Sequence, residues 1–311
     1  MKNADPDPAV NCVLPAQAMN GESPCWDPRE KCLYWVDVPE GMVHRFDPGT
    51  GQDIHWRMPT KIGSLALGPP GKMIVALRTG VYRFAHESGS LELLAPPPFN
   101  PRQFFLNDGK CDREGRFWVG PMFDPLDPVS AGPRTAPLLY LDPDSWRLRP
   151  VIGHVSVSNG LGWSPDARLM YHADTEKKAV FAFDFDPATA TLTNERTLAV
   201  IPSPDGGPDG GMVDAEGFYW AAIFGGGRLV RLDPEGRIER EVHLPTKYPT
   251  MCAFGGEDLQ TAFVTSSSKL IRSSGKPLAE TDGGIFSFRA PAPGLPTSFA
   301  SEKYFRTAEA R

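Results

Sequence analysis

Residues 208–217 read PDGGMVDAEG, residues 106–115 read LNDGKCDREG and residues 157–166 read VSNGLGWSPD. In each, an Asn or Asp meets Gly, a short strand-like segment follows, and a turn rich in Asp, Glu, Gly or Pro closes the unit. Around these stretches lie short runs of aromatic and β-branched residues, among them CLYWVDV, RFWVG, PLLYLDP, LMYHAD, AVFAFDFD, FYWAAIF and TAFVTS. Nearly all are bounded by turn residues, which reads as many short strands. Hardly any window repeats its apolar residues every 3.6 positions, so long helices are not expected.

The strands group into units that open alike, at Glu22, Ser64, Asn107, Asn159, Asp209 and Thr250. The third strand of a unit carries an Asp-Pro turn, as in RFDPGTG, YLDPDS, DFDPATA and RLDPEG. A period of roughly 40 to 50 residues with four strands per unit is the signature of a β-propeller blade. Six openings predict an all-β, six-bladed β-propeller of four-stranded antiparallel blades around a central channel, with residues 1–311 as one domain. The segment VNCVLP (residues 10–15) is expected to pair with the last blade and close the ring, which removes a free sheet edge. An all-β sandwich is the alternative, but a sandwich does not reuse one turn pattern six times.

The totals agree. The chain has 311 residues, 41% of them hydrophobic, ample for a buried core. Gly (31) and Pro (33) together exceed the average share of roughly 12%, which suits many tight turns. A net charge of −6 offers no basic footprint for nucleic acid and no polybasic patch for a membrane. No apolar run approaches the roughly 20 residues of a membrane helix, and MKNADPDPAVNC lacks the apolar core of a signal peptide. The five cysteines are scattered, with no C-x-x-C pair, so a reducing, cytoplasmic setting without disulfides is expected. No pattern encodes association, and a monomer is the default.

In a propeller the first strand of each blade lines the channel, so the six opening residues should meet at one mouth. Singly, Asn or Asp before Gly is usually a turn residue bonding its own backbone. Together, two carboxylates and two amides with no Lys or Arg among the six call for a cation. Oxygen donors favour Ca²⁺, Mg²⁺ or Mn²⁺, and Zn²⁺ remains open. The six histidines (44, 55, 86, 154, 172 and 243) show no ligand spacing, and His172 and Asp174 read as structural. There is no G-x-S-x-G elbow, no H-E-x-x-H and no phosphate loop. The long connection PMFDPLDPVSAGPRTAP (residues 121–137) is a candidate rim or lid over the mouth, bringing Phe123, Asp124 or Asp127 towards substrate.

With these residues in view, the sequence resembles the SMP-30/gluconolactonase/luciferin-regenerating family, which includes regucalcin. The resemblance is carried in order by GESPCWD (21–27), IGSLALG (62–68), NDGKCDREGRFWVG (107–120), SNGLGWSPD (158–166), PDGGMVDAEGFYWAA (208–222), YPTMCAFGGEDLQTAFVTSS (248–267) and GGIFSF (283–288). It implies a six-bladed propeller and a divalent-metal-dependent lactonase opening sugar-derived lactones. It also implies Glu22, Asn159 and Asp209 as metal ligands, Asn107 as a substrate contact, and Asp209 as the general base. Alternatives are a metal-dependent hydrolase of non-sugar lactones or organophosphate-like esters, and a non-enzymatic calcium-binding or interaction propeller. Regucalcin-like members carry an Arg where this chain has Phe105, and Pro121 and Gly162 also depart from the pattern. Arg102 is the candidate to reach the vacated space, and Asp124 the nearest counterpart of an acidic substrate contact.

Overall fold

The computed structural model describes residues 8–128, 132–202, 204 and 206–306. These form six four-stranded antiparallel sheets. Five are consecutive meanders, and their inner strands are Gly21–Asp27, Ile62–Leu67, Phe104–Cys111, Ser158–Trp163 and Gly207–Val213. The sixth sheet has Pro249–Gly255 as its inner strand and takes its outermost strand from the start of the chain. There Asn11–Leu14 pairs antiparallel with Ile285–Arg289, as expected for VNCVLP. Propeller and ring closure are therefore as the repeat predicted.

The packing explains why the second strand of each blade is apolar on both faces. Side chains alternate across a strand, and each blade is covered on both sides by its neighbours. Six core clusters result, one at each junction between adjacent blades. Trp35, Trp118 and Trp220, all on second strands, are fully buried in three of these junctions. The recurring Asp turns are Asx turns. Asp112 Oδ1 accepts from the Glu114 and Arg116 N–H groups, and Asp214 Oδ1 does the same from Glu216 and Phe218.

Among the described residues, helix is confined to one turn at Lys269–Ser273 and a 3₁₀ turn at Glu302–Phe305. No helix among the described residues is long and apolar enough to cross a membrane. The five cysteines are free, and Cys32, Cys111 and Cys252 are buried.

One detail differs from the sequence reading. The opening residues do not precede the inner strands; they lie within them, beside a β-bulge. Every inner strand inserts one extra residue against its partner, at Glu22/Cys25, Ile62/Ser64, Leu106/Gly109, Asn159/Gly162, Pro208/Gly211 and Pro249/Met251. A bulge bends the strand and re-aims a side chain. At two of these bulges the residue just after the opening residue, Ser23 (φ 48°) or Gly160 (φ 64°), is left-handed.

Candidate active site

The bulges gather the opening residues. The Ser64 hydroxyl donates to the Asn107 carbonyl at 2.8 Å, and Thr250 Oγ1 donates to the Gly21 carbonyl at 2.5 Å, tying neighbouring blades together. Asn107 Nδ2 donates to the Ser158 carbonyl (2.9 Å) and to Asn159 Oδ1 (3.1 Å). Asn159 Nδ2 donates to Thr175 Oγ1 at 2.8 Å, and that hydroxyl passes its proton to the Pro208 carbonyl at 2.7 Å. This chain fixes the Asn159 amide with its oxygen turned to the side of Asn107.

The carboxylates are poorly satisfied for their depth. Glu22 and Asp209 are each only 8% exposed. Glu22 Oε2 accepts from the Ser23 N–H at 3.1 Å, and Asp209 takes a backbone bond from Gly210. Burial pushes both carboxyls well above the usual carboxylate range. Charge repulsion adds to this, from Asp209 and Asp108 on Glu22 and from Asp108 on Asp209.

Asp108 is a member of the group that the sequence reading missed. Its Oδ2 accepts from the Leu161 N–H at 3.3 Å, while its buried Oδ1 has no partner among the described residues. Burial raises its pKa too. Lys110 is a second omission. Its ammonium donates to the Gly211 carbonyl at 2.7 Å, and burial lowers its pKa against the pull of Asp108. The signal for both stood in NDGKCD itself, where alternation past the bulge returns positions 108 and 110 to the channel. When ionised, three carboxylates against one ammonium leave two negative charges. The orphaned Asp108 oxygen, the carboxylate lone pairs of Glu22 and Asp209 and the oriented Asn159 amide oxygen are the donor types that a hard divalent cation takes.

Other expected residues sit elsewhere. Arg102 is exposed and paired with Asp127, with Nε at 2.9 Å from the carboxylate. Asp124 is held by Lys61 (2.6 Å) and by Arg78, and neither cation was singled out from the sequence. Between residues 121 and 137, Pro121–Phe123 belong to a strand, and 124 and 126 bond back to Gln103 and Arg102. Residues 129–131 of the suggested lid lie outside the described residues. His172 is buried against Ser158 Oγ at 3.0 Å, and burial pulls its pKa down to about 4. Asp174 accepts the Ser156 and Val157 N–H groups, a structural role.

The histidines do form one grouping, contrary to the sequence reading. Pairing of the two outer strands of blade 1 sets His44 opposite His55, and the ligand atoms of His44, Asp53 and His55 lie within 4.8 Å of one another. Cross-strand proximity is invisible to linear spacing. These strands are the outermost of the blade, so the grouping is separate from the channel.

Past the ring the channel widens into a cavity of about 580 Å³, lined by Cys25, Lys110, Trp163, Met212, Met251 and Phe299 among others. Residues 295–299 also line it, with Thr297 Oγ1 donating to the Trp26 carbonyl at 2.7 Å.

The sequence profile of the SMP-30/gluconolactonase/LRE-like region matches residues 20–268. A 6-deoxy-6-sulfogluconolactonase of Pseudomonas putida is 37% identical over 92% of this chain and 96% of its own length. Regucalcin of Xenopus laevis is 35% identical over 94% of this chain and 98% of its own. The solved structure of a luciferin-regenerating enzyme superposes with a TM-score of 0.85 at 26% identity, covering 94% of this chain and 99% of that one. On fold, motif order and these matches, the chain belongs to the SMP-30/gluconolactonase/LRE-like family.

Proposed function

We propose that this protein is a divalent-metal-dependent lactonase that opens sugar-derived lactones. The observation that carries the reading is the group of mutually repelling buried carboxylates, Glu22, Asp108 and Asp209, which Lys110 alone offsets among the described residues. A relative named 6-deoxy-6-sulfogluconolactonase supports a lactone as the ester.

Glu22, Asn159 and Asp209 would hold the cation, which when bound supplies Lewis acidity to the developing oxyanion of ester hydrolysis. The chain's own groups do the rest. Asp209, with lone pairs free of side-chain donors, takes a proton from the water that attacks the lactone carbonyl carbon. As the bond from carbonyl carbon to ring oxygen breaks, Asp209 returns that proton to the departing oxygen, and the hydroxy acid leaves. Asn107 spends its Nδ2 protons on Ser158 and Asn159, so its Oδ1 is left to accept from a sugar hydroxyl.

The test is proton release on a panel of aldonolactones (glucono, galactono, xylono, arabinono), with metal stripped by chelator and each divalent ion restored. Hydrolysis that returns with a cation supports the reading. A protein that binds the cation and opens none of them is not a sugar lactonase.

A further inference from the structure

We propose that Lys61 and Arg78 form an anion-binding subsite beside the catalytic ring, selecting lactones that carry an anionic substituent at the end remote from the reacting carbonyl. This rests on the lactonase reading above and names the substrate class for it.

Both cations are fixed beside blade 3 by the backbone. Lys61 immediately precedes the inner strand Ile62–Leu67, and the Arg78 N–H donates to the Lys61 carbonyl at 3.0 Å. Two residues on, Gly63 packs so closely on blade 3 that a Cβ there would lie 2.0 Å from the Leu106 carbonyl oxygen and 2.5 Å from that of Asn107. Lys61 is therefore pinned next to the strand that carries Asn107. Its ammonium lies 4.9 Å from the centre of the Phe105 ring, and the Arg78 guanidinium lies 5.6 Å from it. Phe105 stands two positions before Asn107, roughly 7 Å along a strand. That is the reach of a hexose from its first carbon to its last.

The charges do not close on themselves. Two cations share one carboxylate, Asp124, and no other acidic side chain among the described residues pairs with either. Arg78 is nearly used up, its Nη1 donating to the Pro101 (2.9 Å) and Asp124 (3.1 Å) carbonyls and its Nη2 to the Asp124 carboxylate. Lys61 is not. Its ammonium has three protons, and Asp124 Oδ2 at 2.6 Å is its one acceptor among the described residues. Its side chain keeps 24% exposure, enough to meet a ligand. With Phe105 buried beneath it, the partly exposed Lys61 ammonium presents one uncompensated positive charge, which suits a carboxylate, sulfonate or phosphate on the far end of the sugar.

The test compares wild type, Lys61→Met and Lys61→Arg, each with its divalent cation. Calorimetry measures D-glucarate against D-gluconate, which differ by a second carboxylate at the far end. Kinetics measures kcat/KM for D-glucaro-1,4-lactone against neutral aldonolactones. Wild type should favour the dianion and the acidic lactone by at least about 10-fold. The ratio should collapse towards unity in Lys61→Met and largely survive in Lys61→Arg. Equal preference in wild type, or an unchanged ratio in Lys61→Met, overturns the subsite. If no lactone is turned over yet glucarate is still preferred in a Lys61-dependent way, the lactonase reading falls and the subsite stands.

Discussion

Replacing Asp209 by Asn should shift stability in opposite directions with and without a divalent cation. The substitution keeps shape, so no cavity term enters. It removes a buried carboxylate that repels Glu22 and Asp108 and is bonded by the Gly210 N–H. In chelator at pH 8 the variant should therefore be more stable than wild type, by about 1–2 kcal/mol. A large chain gains roughly 2 °C per kcal/mol, so its Tm should rise by about 2–4 °C. A cation at 100 times its Kd stabilises wild type by about 2.7 kcal/mol, or about 5 °C. Losing an ionised ligand weakens binding by about 100-fold or more, so the variant should gain about 0.4 kcal/mol, near 1 °C, at the same concentration. Scanning calorimetry in EDTA and then with Ca²⁺, Mg²⁺, Mn²⁺ or Zn²⁺ reads both numbers, and lactone turnover should fall by at least about 100-fold. A variant that is destabilised in EDTA, or that keeps the wild-type shift on adding metal, refutes the assignment.

Further outcomes follow from the same geometry. The raised pKa values of Glu22, Asp108 and Asp209 mean that the folded chain binds more protons than the unfolded one above the ordinary carboxylate range. In EDTA the urea midpoint should accordingly fall as pH rises above the ordinary carboxylate range, and saturating cation should flatten it; a flat profile in EDTA contradicts the burial argument. His172 acts oppositely, since its pKa of about 4 stabilises the fold above pH 6.5 and that contribution is lost as pH falls towards 4. His172→Gln should remove about 2 kcal/mol of this acid sensitivity, read from urea midpoints at pH 7 and 4.5. Asn107→Ala leaves the Ser158 carbonyl without its donor and frees the Asn159 amide. It should cost about 1 kcal/mol of stability and at least about 10-fold in kcat/KM, and unchanged kinetics would remove Asn107 from the site. Gly63→Ala drives a methyl into the Leu106 carbonyl; a Tm within 2 °C of wild type, about 1 kcal/mol, would contradict so close an approach.

The period of the chain was legible because each blade is a local object. Strand, Asx turn and strand lie close in sequence, and Asp112 or Asp214 needs no distant partner to make its turn. Repetition then carried the argument further than any single motif could, since six equivalent positions on a closed ring must meet. That is how Glu22, Asn107, Asn159 and Asp209 could be chosen together. What linear order does not contain is pairing register and contact between blades. The bulges exist only as a mismatch between two strands, and they return Asp108 and Lys110 to the channel beside the opening residues. Arg102 looked suitable by proximity in sequence, but it pairs with Asp127 at the rim. The cations over Phe105 come instead from Lys61 and Arg78 of the preceding blade. The sequence by itself determined the repeat and the closure of the ring, because these follow from short-range turn and strand chemistry. Only the tertiary structure decided which charges share the site, because Coulomb interactions depend on distances that ring closure sets between residues 40 or more positions apart, as between Ser64 and Asn107 or Asn107 and Asn159.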